Sequence, residues 1–434
     1  MDRRTFIKAA SCAGLAVGGA SAYADDQLDK IMGPRRPSDA PYTGVFYIFL
    51  HCGGGWDPTS LVDPKGANFE DEPDRMNNYL AADIETAGNI RYAPSPIDGN
   101  PHNVFFQKHY QKLLVVNGID MMTNGHDAGV RHTWSGRLSE GHPSTAAFIA
   151  GAMDPAAPMA FTAFGGFQET GGLVPRTRAG DINPLLRAAY PDRMNPDDEN
   201  STFHSAATTE LIRGYQTQRE EAMIANMGLP RIREAMRTLF TARSGSNELK
   251  LLQQYLPDPL PDGPIASQAA VALAAYRAGI AISANLSIGG FDTHGNHDDN
   301  HFPRMQQVVE GLDYILTEAE NLGIADKIFV AVGSDFGRTP GYNDGNGKDH
   351  WPITSMIFAG AGVAGNRVVG QSDERHGGMG FDINTLQPLS GEDAPRLHPG
   401  HINKTLRAHA GLRDHEFNAA FFIEEEEVPA LFTG

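Results

Sequence analysis

Five short apolar runs constrain this chain more than any other feature: "VFYIFL" (45–50), "KLLVVNGI" (112–119), "NLSIGG" (285–290), "KIFVAVGS" (327–334) and "SMIFAGAG" (355–362). Each has the length and the β-branched or aromatic content of a buried strand. "APMAFTAFGG" (157–166) is a further candidate. Helical patterns lie between them. Residues 265–284 are alanine-rich with helical spacing, and Met305, Val308, Val309, Leu312, Ile315, Leu316 and Ala319 recur every three to four residues. That second pattern predicts an amphipathic helix with Pro303 in its first turn. Strands alternating with helices predict an α/β fold, a three-layer αβα sandwich with a mostly parallel central sheet. Right-handed crossovers then bring the strand C-termini to one edge, where such folds bind ligands. Residues 200–255 read as all-helical, an insertion within the same domain placed to cap that edge.

The two ends of the chain carry other information. "DRRTFIK" (2–8) is a twin-arginine pattern, followed by an uncharged, weakly apolar stretch and by Ala22-Tyr23-Ala24 before Asp25. We therefore expect a cleaved signal peptide at 1–24, a polar linker at 25–42 and one domain over 43–434. The apolar stretch is too short and glycine-rich to span a bilayer, so no stable membrane span is expected after cleavage. The translocase of that pathway is the expected export partner, and the periplasm or the medium the destination. Cys12 would leave with the signal, so Cys52 stands alone and no intrachain disulfide forms. At 41% apolar and 20% charged residues the chain is globular, and its net charge of −18 repels a phosphate backbone, which argues against nucleic-acid binding.

The chemistry collects where the runs end. The first opens into "HCGGGWD" with Asp57, and the third into "GGFDTHGNHDDNH" with Asp292, His294, His297 and His301. The fourth ends at Asp335 with Arg338, and "NDGNGKDHWP" sets Asp349 and His350 ahead of the fifth. Carboxylates gathered on one edge repel one another, and a divalent cation relieves that repulsion. Mixed Asp and His donors suit zinc, manganese or iron, whereas magnesium and calcium prefer oxygen alone. Asp57 reads as a ligand or as the cap of a turn after three glycines. Asp292 and His294, two apart, share a face of an extended segment. His297 and His301 read as solvated residues of a loop or helix start. Arg338 either pairs with an acidic neighbour or clamps an oxyanion.

The chain resembles a known family in four places: "FLHCGGGWD", "GGFDTHGN", "SDFGRTP" followed by "GKDHW", and "HINKTLRAHAGL". These are similar to the twin-arginine-exported proteins grouped as domain of unknown function 1501, a family itself similar to the alkaline phosphatase and sulfatase superfamily. The resemblance implies an alkaline phosphatase-like fold with metals at the C-terminal edge of the sheet. It implies Asp57 as the first-strand metal ligand, Asp292 with His294 (or His297) at one metal, and Asp335 and His350 from the last ligand loops. "HDAGVRHTWSG" (126–136) resembles the stretch in which phosphatases place their nucleophile at a helix N-terminus. Two departures stand out. Phe336 follows Asp335 where an adjacent histidine is usual, and His126 and Asp127 stand where a serine or threonine is usual. The Cys/Ser-x-Pro-x-Arg pattern of formylglycine sulfatases is absent from the sequence.

The expectation is thus an exported hydrolase of phosphate, sulfate or related esters, small or polymeric, using one or two divalent ions, zinc or manganese. Asp57, Asp292, His294, Asp335 and His350 are the expected ligands. His126 or Asp127 is the expected nucleophile or base, and Arg338 the group that neutralises developing charge. The alternative from another class is a non-catalytic exported protein that binds an envelope component and keeps at most a structural metal.

Overall fold

The computed structural model describes residues 41–180, 189–190, 192–195, 198, 200–229, 232–233, 236, 249–391 and 393–433. The expected signal segment and nearly all of the expected linker lie outside these residues. Eight strands make one sheet: β1 (Phe46–Gly53), β2 (Leu113–Asp120), β3 (Phe161–Ala163), β4 (Arg176–Arg178), β5 (Ser283–Gly289), β6 (Ile328–Ser334), β7 (Ile353–Gly360) and β8 (Arg367–Val369). Their order across the sheet is β8-β2-β7-β6-β1-β5-β3-β4. β4 and β8 are edge strands of three residues, too short to show any periodicity in the sequence.

The longer helices are α1 (Pro101–His109), α2 (His126–Ser135), α3 (Thr145–Met153), α4 (Ala206–Ala225), α5 (Leu249–Tyr255), α6 (Pro264–Arg277), α7 (His297–Asn321) and α8 (Pro399–His409). The period-two alternation of β1 sorts the core into two layers. Phe46, Ile48, Leu50 and Cys52 join the cluster built with α1, α6 and α7. Tyr47 and Phe49 face the cluster that takes Trp134 from α2, Ala146 to Ala150 from α3, and Ile402 and Leu406 from α8. The chain therefore forms the expected αβα sandwich, with a covered sheet whose central strands are buried along almost their whole length. Within the stretch expected to be an insertion, α4 buries only Ile224. Among the described residues, no helix is long and apolar enough to cross a membrane.

One strand runs against the others. β7 is antiparallel to both β6 and β2, while the pairs of β1 with β5 and β6, β3 with β4 and β5, and β2 with β8 are parallel. The expectation that every strand ends at the same rim therefore fails for β7. The reversal has a consequence for the site. Asp349 and His350 precede β7, so in a parallel strand they would lie at the opposite edge. Because β7 runs backwards, its N-terminal end lies at the rim where β1, β5 and β6 finish. A short antiparallel ribbon, Gly337–Arg338 against His350–Trp351, locks that arrangement with His350 opposite Arg338.

The start of α7 also differs from expectation. The helix begins at His297 and Pro303 lies inside it rather than in its first turn. The backbone of Asn300 already bonds to Asn296. The two extra turns carry His297 and His301 onto the inner face of the helix, where both are completely buried.

Candidate metal centre

The two glycines that follow β1 allow the rim to be built closely. Gly54 and Gly55 have φ of +118° and +85°, a region that a side chain adopts only with strain. A Cβ on Gly54 would lie 2.5 Å from the backbone nitrogen of Asp292, and one on Gly55 2.5 Å from the Phe336 ring. Across this turn Trp56 is sealed in, its backbone N–H donating to Ser334 Oγ at 2.8 Å and its indole to Thr354 Oγ1 at 3.1 Å. The ends of β1, β6 and β7 are thereby tied together.

Asp292, just past β5, is the hub of the rim. Its Oδ1 accepts from Arg338 Nη2 at 2.7 Å and lies 3.0 Å from His350 Nε2 and 3.0 Å from His294 Nε2. Its Oδ2 lies 3.5 Å from His126 Nε2. Burial works against the charge on Asp292, yet the hydrogen bond from Arg338 brings its pKa down to about 2. His126, Asp292 and His350 each present a donor atom within 4.8 Å of the other two.

What surrounds the imidazoles fixes which nitrogen faces inward. His350 Nδ1 lies 2.8 Å from the Asn124 carbonyl, which can only accept, so Nδ1 carries the proton. His126 Nδ1 lies 2.7 Å from Asp335 Oδ2, and His294 Nδ1 2.6 Å from Asp349 Oδ1. Both carboxyls are held below the ordinary range. For Asp335, His51 and His126 prevail over burial, and for Asp349 the His294 hydrogen bond is the main cause. With the proton on Nδ1, a neutral ring presents its lone pair at Nε2. Two of these Nε2 atoms, on His294 and His350, stand 3.0 Å apart, and all three face the carboxylate of Asp292. Lone pairs converging on an anion call for a cation, and imidazoles whose other nitrogen is bonded to a carboxylate or carbonyl have the usual arrangement of metal ligands.

Not every expected residue reaches this group. Asp335 lies behind His126: Oδ2 also accepts from the Gly54 N–H at 3.1 Å, and Oδ1 faces His51 Nε2 at 3.1 Å. Trp134 Nε1 donates to His51 Nδ1 at 3.0 Å, so the His51 proton is on Nε2, the nitrogen nearer Asp335. Arg338 is completely buried; Nε donates to the Gly55 carbonyl at 2.8 Å, Nη1 to that of Lys348 at 2.9 Å, and Nη2 to Gly54 and Asp292. The structure spends its donors on holding the rim together rather than on facing outward. Asp127 is exposed in the first turn of α2, where a negative charge suits the helix dipole. His126, expected as nucleophile or base, stands among the donors instead. Phe336, noted in the sequence as a departure from the adjacent Asp-His pattern, packs with its ring 4.4 Å from that of His350 and 4.9 Å from that of His126.

Asp57 belongs to a separate, deeper group. It caps the short 3-10 turn Pro58–Ser60, with Oδ1 accepting from the Thr59 N–H at 2.9 Å and from Thr59 Oγ1 at 2.6 Å. Its Oδ2 accepts from Lys348 Nζ at 2.6 Å and from Ser60 Oγ at 3.1 Å, and lies 3.3 Å from His297 Nε2. Burial opposes ionisation, but Lys348 and His297 hold Asp57 far below the usual carboxylate range. Sequence reasoning overlooked Lys348 and His51, read His297 and His301 as solvated, and kept His297 only as an alternative to His294 through the family resemblance. The four-residue spacing of the two histidines, which puts them on one helix face, was the available signal. The rings stack with centroids 4.3 Å apart.

No curated protein matches the chain in sequence. Among solved structures it is similar to the lipoteichoic acid synthase LtaP from Listeria monocytogenes (8% identity, 90% of this chain and 78% of that one, TM-score 0.36). It is also similar to the phosphonate monoester hydrolases SpPMH from Silicibacter pomeroyi (12%, 90% and 77%, TM-score 0.35) and of Agrobacterium radiobacter (13%, 91% and 77%, TM-score 0.34). In sequence, residues 46–386 match the family described as "Protein of unknown function (DUF1501)", a span that includes the residues of the rim and of the Asp57 group, and the chain belongs to that family.

Proposed function

We propose that the chain is an exported, metal-dependent hydrolase of phosphate, sulfate or related esters, with a divalent ion held at the rim by His126, Asp292 and His350. The observation that carries this reading is the convergence of imidazole lone pairs on Asp292. Imidazole with a carboxylate suits zinc or manganese. Such an ion, when bound, acts as a Lewis acid and lowers the pKa of water from 15.7 to about 7.

The chain's own groups do the rest. Asp335, the Asn124 carbonyl and Asp349 hold the three rings in orientation, and Arg338 holds Asp292. α2 begins at the rim with His126, and its N-cap Gly125 offers no side chain to the first turn. Those backbone amides therefore remain for an anionic substrate oxygen. The side chains meeting at the rim are imidazoles and carboxylates, which favours water over an enzyme hydroxyl as the attacking group. His294, oriented by Asp349, takes up the proton at Nε2. "DRRTFIK" supports export through the twin-arginine translocase to the periplasm or beyond.

The test is a screen of p-nitrophenyl phosphate, bis(p-nitrophenyl) phosphate and p-nitrophenyl sulfate, with and without added zinc or manganese. Hydrolysis that requires the metal and disappears in Asp292→Asn and His350→Ala is expected. Uniform inactivity of metal-loaded protein would contradict the proposal and favour an exported binding protein on the same scaffold.

A further inference from the structure

We infer that the centre takes a single ion because the chain supplies its own second cation: the ammonium of Lys348 occupies the place beside Asp57 that a second metal would need. The inference rests on the metal reading of the rim and goes beyond it, since one ion and two are equally compatible with the rim donors alone.

The environment of the ammonium is that of a cation site. Nζ lies 2.6 Å from Asp57 Oδ2, 2.8 Å from Asn77 Oδ1 and 3.5 Å from Thr59 Oγ1. Lys348, Asp57 and Thr59 are completely buried, and Asn77 is 1% exposed. Oxygens of a carboxylate, an amide and a hydroxyl around a buried positive charge are what a hard divalent ion also selects. His297 adds a nitrogen 3.3 Å from the same carboxylate oxygen.

The neighbouring histidines bring no charge of their own. The Asp57 N–H donates to His301 Nε2 at 2.9 Å, so the His301 proton is on Nδ1, which faces Thr293 Oγ1 at 3.2 Å. Thr293 Oγ1 also lies 2.7 Å from His297 Nδ1, and burial holds the His297 pKa below its ordinary value. Both rings are therefore neutral, and one carboxylate balances one ammonium. A divalent ion added beside Lys348 would leave two uncompensated positive charges in a fully buried site, so ammonium and metal exclude one another.

The same residue shapes the rim. The Lys348 carbonyl accepts from Arg338 Nη1 at 2.9 Å and its N–H donates to the Thr293 carbonyl at 3.0 Å. It thus joins the loop that carries Asp349 and His350 to the one that carries Asp292 and His294.

The experiment is the manganese content of the full chain after loading with excess Mn²⁺ and desalting, read by elemental analysis. The wild-type chain is expected to hold one equivalent, lost in His350→Ala. Lys348→Ala is expected to hold two, the additional one disappearing in Asp57→Asn/Lys348→Ala. Two equivalents in the wild type, or one in folded Lys348→Ala, would overturn the inference. Should Lys348→Ala not fold, the charge-neutral pair Asp57→Asn/Lys348→Met decides. It is expected to keep one equivalent, and loss of that equivalent would show Asp57 to be a ligand after all. Zero in the wild type would defeat the rim reading instead, while an Asp57-dependent equivalent in Lys348→Ala would still uphold the role given to Lys348.

Discussion

Two clusters of histidine and aspartate lie close together in this protein, and they solve the same electrostatic problem in opposite ways. The buried one, around Asp57, has a lysine at its centre, two neutral histidines and no exposed side chain. The rim one, around Asp292, is partly open to solvent, turns three imidazole Nε2 atoms on a carboxylate, and among the described residues has Arg338 as its fixed cation. Residue composition alone does not separate a ligand set from a structural network. Whether the chain itself provides the counter-charge does.

The difference predicts how each cluster fails. Removing one partner of the buried pair, by Lys348→Met or Asp57→Ala, strands an unpaired charge and is expected to cost about 3–5 kcal/mol of stability in denaturant melts. His350→Ala at the rim loses one neutral hydrogen bond and is expected to cost about 1 kcal/mol, while abolishing metal binding. Equal losses at the two sites would erase the distinction. At the next scale, Asp335→Asn or Asp349→Asn disturbs the partner of a ring rather than a donor, and metal affinity is expected to fall about 10–100-fold in a competitive titration. An unchanged affinity would mean that those carboxylates do not orient the rings.

The response to pH separates the clusters further. Burial pushes His301 well below 6.5, so below that pH the unfolded chain binds a proton that the folded chain refuses. Stability is therefore complete above pH 6.5 and falls as the pH drops below it, by about 1.4 kcal/mol per pH unit for one proton. Asp57 acts in the same direction at lower pH, because its depressed pKa stabilises the fold above the unfolded value of 3.8 and that contribution is lost on acidification. His301→Gln is expected to flatten the upper part of this slope in thermal melts across the pH range. An unaltered slope would remove His301 from the account. The smallest effect is expected at Asp127, where substitution by Asn should change stability by about 0.5 kcal/mol and leave metal content untouched. Loss of metal there would reinstate it at the site.

How far these clusters could be read from the sequence depends on what each residue's signal is. β1, β2, β5, β6 and β7 show themselves as apolar runs because the central strands are covered on both faces. The direction of β7 is not written in its run, and only the reversed direction explains how His350 reaches the rim. Asp292 and His350 were legible because they flank strands. Lys348 was not, because a lysine between glycine, asparagine and aspartate has the look of a solvated loop, and its burial depends on Asp57, 291 positions away. Pro303 misplaced the start of α7 and with it the two histidines that the extra turns bury. Phe336 was noted as a missing ligand, but its contacts show a positive role, packing against the rings of His126 and His350.

The most direct measurement is anomalous diffraction at the zinc edge from crystals of the zinc-loaded protein. The account predicts one peak, about 2.0–2.2 Å from His126 Nε2, His350 Nε2 and an Asp292 oxygen, and none beside Asp57, where the Lys348 ammonium remains. A peak on Asp57, or a saturated protein with none at Asp292, would contradict it.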